Sequence, residues 1–275
     1  MLCSTIREIL VNTEKVYGPE DAIRYKIKKN IIETKTYSQL KQDSESFSCA
    51  LEALGERGSH IAVTGATSYP WLVTYFGTVN SGSVAVPLDV SLPAEDLCEL
   101  IDRADATVLV ADELRKDLME IVKSRCPKLR YLISMQKEES DEETLSFRQL
   151  LREHEGVFGY EPEPDSLCTI MFTSGTTGKS KGVMLTQRNL AENATCLDMK
   201  IPPRTVILSV LPIHHAYCLS MDILKGISLG SVICINDSLL RVVKNIKLFQ
   251  PNMILMVPLM IETMAKKLEE VSGLP

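Results

Sequence analysis

Apolar residues along this chain fall into short runs of aliphatic side chains, separated by longer stretches with helical spacing. A strand buried on both faces reads as a continuous apolar run and its crossover helix as an amphipathic one, so this alternation points to βαβ units. The predicted fold class is α/β, with two lobes of mainly parallel βαβ sheet. Strands are expected at His60–Ala66, Ser83–Leu88, Thr107–Ala111, Arg130–Ser134, Leu167–Thr173, Thr205–Leu211, Val232–Ile235 and Met253–Val257. A helix over Pro93–Arg103 opens on a proline, carries Glu95 and Asp96 in its first turn and lines one face with Leu97, Leu100 and Ile101. Nearer the start, Ala22–Ile27 and Ile32–Thr36 read as a hairpin around Lys28-Lys29-Asn30, followed by a helix over Ser38–Leu54. Gln136–Glu143 and Gly156–Asp165 read as breaks. Ile201-Pro202-Pro203-Arg204 is expected to end a helix begun near Arg188 and to mark a lobe boundary. The lobes are then approximately 60–200 and 1–59 with 201–275.

Bulk properties narrow the class. A length of 275 residues suits two domain-sized units or one large two-lobed domain. With 45% hydrophobic and 24% charged residues, the composition is that of a globular protein. A net charge of -6 argues against a nucleic-acid partner. The first residues lack the apolar core of a signal peptide and no apolar run reaches membrane-spanning length, so a cytoplasmic protein without a transmembrane segment is expected. Eight dispersed cysteines form no C-x-x-C pair and read as small buried hydrophobes rather than a zinc or redox site.

The candidate chemistry lies after the strand Leu167–Phe172, in Thr173, Ser174, Gly175, Thr176, Thr177, Gly178, Lys179, Ser180, Lys181 and Gly182. Glycines let successive N–H groups converge on an anionic oxygen, hydroxyls add donors and lysines add charge, which makes this a phosphate-gripping loop rather than a polar hairpin tip. Gly178-Lys179-Ser180 also ends like a P-loop, but Thr173 stands where the first glycine belongs. Gly182–Thr186 looks extended where a P-loop needs a helix. Gly226-Ile227-Ser228-Leu229-Gly230 fits G-x-S-x-G, yet helix precedes it, strand follows it and no histidine lies downstream, so it reads as a helix-to-strand turn.

Phe172–Val183 closely resembles the signature of AMP-forming adenylating enzymes, the superfamily of acyl-CoA synthetases, firefly luciferase and peptide-synthetase adenylation domains. Lys35–Leu40, Gly82–Asp89 and Leu211-Pro212-Ile213-His214-His215-Ala216-Tyr217 resemble further family segments in the expected order, with His215 on the characteristic histidine. The whole is most like long-chain fatty acid CoA ligases. The resemblance implies that a carboxylic acid attacks the α-phosphate of ATP to give an acyl-adenylate, and that a thiol of coenzyme A or a carrier protein then takes the acyl group. It assigns phosphate binding to Thr173, Ser174, Gly175, Thr176, Thr177, Gly178, Lys179 and Lys181, a magnesium contact to Thr173, and catalytic roles to His215 and Lys181. Serine at position 180, where many members carry proline, leaves the donors intact. Neighbours on an extended segment point oppositely, so His214 and His215 are read as a poor joint metal site, with His214 structural.

The family's tyrosine-glycine-threonine-glutamate run, ribose-binding aspartate and late lysine do not occur by Pro275. The chain is therefore expected to be a partial adenylation domain over 1–275 without the C-terminal lid domain, inactive alone and prone to self-association. A non-catalytic nucleotide-binding or regulatory module and a P-loop NTPase are the alternatives.

Overall fold

The computed structural model describes residues 2–28, 30–173, 180–197, 199–263 and 265. Its strands are β1 (Asp21–Lys28), β2 (Ile31–Thr36), β3 (His60–Thr64), β4 (Val84–Leu88), β5 (Ala106–Ala111), β6 (Tyr131–Ser134), β7 (Leu145–Ser146), β8 (Leu167–Thr173), β9 (Lys181–Thr186), β10 (Val206–Ser209) and β11 (Val232–Ile235). Its α-helices are α1 (Ile6–Tyr17), α2 (Tyr37–Ala53), α3 (Tyr69–Asn80), α4 (Ala94–Arg103), α5 (Lys116–Arg125), α6 (Phe147–Glu153), α7 (Gln187–Thr195), α8 (Lys225–Ser228) and α9 (Val242–Phe249). A π-helix, Cys218–Leu224, runs directly into α8.

One sheet has the order β7-β6-β5-β3-β4-β8-β9, parallel except for the antiparallel β8–β9 pair. The other has the order β10-β11-β1-β2, parallel except for the β1–β2 hairpin. The first takes its strands from between His60 and Thr186; the second takes them from both ends of the chain.

Side-chain alternation along each strand feeds a core on both faces. Ile61, Val63, Val108, Val110 and Cys168 from the larger sheet meet Ala22, Ile23, Ile233 and Ile235 from the smaller one through the helices packed between them, among which lie Ile6, Leu10, Phe47, Trp71, Leu72, Leu190 and Ile227. On the outer face of the larger sheet, Ala62, Val86 and Leu109 pack with Leu97 and Ile101 of α4 and Leu118 and Val122 of α5. On the outer face of the smaller sheet, Leu208 and Cys234 pack with Val242 and Phe249 of α9. The result is five layers, helix on sheet on helix on sheet on helix.

Helix starts follow from local chemistry. In α1, which the apolar pattern did not single out, Thr5 accepts from the Glu8 N–H at 3.1 Å while the Ser4 and Thr5 N–H groups donate to the Glu8 carboxylate, a capping box readable as T-x-x-E. Thr36 and Thr186 begin α2 and α7 in the same way. Pro93 stands at the N-cap of α4, one residue before the helix.

Four boundaries differ from expectation by more than one residue. Of Met253–Val257 only Met253 finds a ladder partner, Ile207, because its neighbours have no second strand to pair with among the described residues. β10 stops at Ser209, before the turn that carries Pro212. β3 stops at Thr64, since Gly65 turns the chain with φ +145°. The helix begun near Arg188 ends at Thr195, well short of Pro202, and Lys200 and Arg204 then take left-handed φ values. Six of the eight cysteines are buried and all are free thiols, with Cys49 half-buried and Cys196 exposed.

Candidate functional site

The larger sheet changes winding direction between neighbours β4 and β8. From β4 the chain crosses through α4 to β5 on one side, whereas β8 turns back through β9 on the other. Open α/β sheets bind ligands at such points, outside the carboxyl ends of the strands. Ala85 of β4 pairs with Thr169 of β8; Asp89 follows the last residue of β4 and Thr173 is the last residue of β8, so both stand at the carboxyl ends of these neighbouring parallel strands.

Thr173 closes β8 and Lys181 opens β9, and the two are paired across the antiparallel ladder, both exposed. The Thr173 hydroxyl donates weakly to the Lys181 carbonyl at 3.5 Å. Ser174, Gly175, Thr176, Thr177, Gly178 and Lys179 lie outside the described residues. The segment that follows the loop is a strand, Lys181–Thr186, as its sequence reads, and not the helix that a P-loop places at its lysine. At this loop end of the hairpin, Arg103 of α4 donates to the Ser180 carbonyl at 2.7 Å and lies over the Phe172 ring, 5.6 Å from its centroid.

The histidines approach the same edge from the smaller sheet, on the loop after β10. Here the expectation of an extended segment is corrected. Residues 213–215 form a turn in which the His215 N–H donates to the Pro212 carbonyl at 3.1 Å, and the two rings are 4.3 Å apart instead of opposed. No group of three or more His, Cys, Asp or Glu side chains suited to a metal occurs among the described residues. His215 is exposed. The His214 side chain is 11% exposed, with Nε2 3.6 Å from Asp89 Oδ2, outside hydrogen-bond range. Burial lowers the His214 pKa, partly countered by the Asp89 charge. Burial alone would raise Asp89, but the Ser91 N–H and hydroxyl donate to its Oδ1 at 2.8 and 2.7 Å and, with the two imidazoles, hold the carboxyl below its ordinary range. A neutral imidazole therefore faces a carboxylate near neutral pH.

The geometry thus brings Asp89, which the sequence reading did not include among site residues, close to His214 at the carboxyl edge that also carries Thr173. A charged residue ending the buried run Val84–Leu88 was the available signal. For Arg103 there was none, because its place under the loop depends on how α4 lies on the sheet.

The His loop is anchored by buried polar groups. Ser209, the last residue of β10, donates to Asp222 Oδ2 at 2.9 Å, and the Cys218 thiol contacts the Leu211 carbonyl at 3.3 Å. Asp222 is fully buried in the π-helix, and its pKa is pushed up to about 7 by that burial. The G-x-S-x-G segment is explained by packing. α8 runs through Ser228, a Cβ on Gly226 would sit 3.2 Å from Ile207 of the sheet, and Gly230, at φ +68°, would carry its Cβ to 2.4 Å from the Tyr17 ring.

Layered, mainly parallel sheets with the candidate residues at their carboxyl edge define an α/β protein with a ligand site of the open-sheet kind. The chain belongs to the AMP-binding enzyme family, whose model matches residues 14–274. It is 29% identical over 254 residues to a long-chain-fatty-acid–[acyl-carrier-protein] ligase of Arabidopsis thaliana, covering 83% of this chain and 34% of that protein. It is 30% identical over 205 residues to long-chain-fatty-acid–CoA ligase 5 of Rattus norvegicus, covering 66% of this chain and 30% of that protein. The chain therefore spans about a third of the length of these relatives. Its fold matches the crystal structure of the anthranilate CoA ligase AuaEII in complex with anthranoyl-AMP with a TM-score of 0.83 at 18% identity, covering 91% of this chain and 49% of that one. No helix among the described residues is long and apolar enough to cross a membrane.

Proposed function

We propose that this chain is the N-terminal part of an AMP-forming acid:thiol ligase that uses ATP to activate a carboxylic acid, a fatty acid, as its acyl-adenylate for transfer to coenzyme A or a carrier protein. The observation that carries the reading is the pairing of Thr173 with Lys181 at the tip of the β8–β9 hairpin, on the carboxyl edge where Asp89 and the His214–His215 turn also arrive. A loop of donors mounted there suits phosphoryl chemistry, which needs positioning and charge stabilisation more than a nucleophile.

In this proposal Thr173, Ser174, Gly175, Thr176, Thr177, Gly178 and Lys179 hold the β- and γ-phosphates of ATP, and Lys181 opposes charge as pyrophosphate leaves. Exposed His215 stands where the α-phosphate and the acid meet. The exposed Thr173 hydroxyl would help hold magnesium, which would supply charge neutralisation at the phosphates, and one hydroxyl suits a hard cation that takes oxygen ligands and asks for few from the protein. The lobes divide at approximately 60–200 and 1–59 with 201–275, and the chain alone does not complete adenylation.

The test is carboxylate-dependent ATP–pyrophosphate exchange by a protein extended to the length of its relatives, across short, long, aromatic and amino acids, beside ATP binding by the chain itself. Exchange is expected with a long-chain acid and should fall roughly hundredfold or more in Lys181→Ala and in His215→Ala. No exchange with any acid would overturn the proposal. If the chain binds ATP without exchange in the extended protein, a non-catalytic module replaces it; ATP hydrolysis to ADP lost in Lys179→Ala would point to an NTPase.

A further inference from the structure

At the carboxyl ends of β1 and β11, away from the β8–β9 hairpin, a cavity of about 490 Å³ opens between the β1–β2 hairpin and α9. Lys26, Lys28, Arg241 and Lys244 line it, and Asp237 is the only acidic residue that does so among the described residues. Four cations against one acid, in a chain whose net charge is -6, is a local reversal of sign. Asp237 is shared by Lys26 at 2.8 Å and Arg241 at 2.9 Å. Lys28 and Lys244 have no ion-pair partner among the described residues, and both are exposed.

Both lips of this basic cavity carry aliphatic side chains in water. Leu239 and Leu240, immediately before Arg241, are 59% and 89% exposed. Val243 on α9 and Ile27 and Ile31 on the hairpin are about half exposed. Their strand and helix are otherwise well anchored, with Val242 and Phe249 buried on the sheet and Asn245 donating to Asn236 and Asp237. The free leucines are therefore not a by-product of a loose segment. Cations close to protruding aliphatics match an interfacial anchor, in which apolar side chains enter the acyl boundary while Lys and Arg meet anionic headgroups.

We propose that the β1–β2 hairpin and the start of α9 form a docking surface for an anionic phospholipid bilayer, with Lys28, Lys244 and Arg241 on the headgroups and Leu239 and Leu240 inserted. A two-fold contact between copies would set these cations against themselves, whereas an anionic bilayer complements them. Because the surface shares the carboxyl edge of its sheet with the His215 loop, a docked chain would hold that edge toward the source of an amphiphilic acid. The docking itself does not depend on the chemistry proposed above.

Flotation of the chain with vesicles of phosphatidylcholine alone, or of phosphatidylcholine with phosphatidylserine, tests this. Wild type should float only with the phosphatidylserine vesicles, and less so as salt is raised. Lys28→Gln and Lys244→Gln should each reduce partitioning about fivefold. The double variant Leu239→Ser/Leu240→Ser, which keeps every charge, should also lose binding. All four side chains are exposed, so unchanged circular dichroism and melting are expected throughout. Absence of wild-type flotation, equal binding by both vesicle types, or binding indifferent to these variants would overturn the proposal. Displacement by inorganic phosphate at constant ionic strength would also overturn it, in favour of a site for a soluble anion, and dimerisation through the same residues would assign the surface to a second copy.

Discussion

His214 and Asp89 approach each other from segments that follow strands of different sheets. The protonation of His214 follows from opposed effects: burial disfavours the imidazolium, while the nearby carboxylate favours it. Replacing the carboxylate isolates the first. In Asp89→Asn the His214 pKa should fall further below its ordinary value, as read by imidazole proton shifts in an NMR titration; an unchanged or raised value would mean that the two groups do not interact in solution. The sign for stability follows. A histidine depressed in the fold supports the native state above its unfolded pKa of about 6.5, and that support is lost as pH falls through the folded value. His215, exposed on the same turn, is left free to meet a ligand.

Among the elements, the π-helix Cys218–Leu224 concentrates the most unusual electrostatics. Asp222 has one oxygen held by Ser209 and the other, Oδ1, buried without a hydrogen-bond partner among the described residues. Its pKa is raised from 3.8 to about 7, so the folded state prefers the neutral acid. Stability from this residue is complete below pH 3.8 and is lost as pH rises through about 7. Asp222→Asn should remove that slope, making the protein more stable than wild type at pH 8 by a few kcal/mol and little different at pH 4, as checked by urea denaturation at both. A wild type insensitive to the substitution at pH 8 would mean that Asp222 finds charge compensation in the fold. The element also bears on the site, because Ser209 and Cys218 bracket the His215 loop and share Asp222.

For the molecule as a whole, continuity between the ends of the chain depends on α1. Arg7 is buried and reaches Glu45 of α2 at 3.3 Å, Glu161 at 3.2 Å and the Phe158 carbonyl at 2.6 Å, tying the first helix to the second and to the segment entering β8. Removing one member of a buried pair is expensive because the other keeps its desolvation cost. Arg7→Ala should therefore destabilise by about 3 kcal/mol in urea denaturation, with Glu45 left to Lys41. Arg7→Lys should recover only part, since one ammonium cannot replace the guanidinium fork. A loss below about 1 kcal/mol, the range of an exposed pair, would mean that water reaches Glu45.

By itself the sequence determined the α/β class, most of the strands and the hairpin context of the phosphate-type loop. These are legible because the central parallel strands β3, β4 and β5 are buried almost throughout and so stay apolar along their length, and because Gly182–Thr186 reads as extended. It also carried the capping boxes of Thr5, Thr36 and Thr186, which depend only on residues three apart. Tertiary structure alone decided which strands share a sheet, that Met253 gains only one bridge, and that the His214–His215 segment turns instead of extending. Those outcomes depend on partners far along the chain, which local periodicity does not encode. The same holds for Asp89 and Arg103: each is an ordinary polar residue in sequence, and only the tertiary fold brings one to His214 and the other to the Ser180 carbonyl.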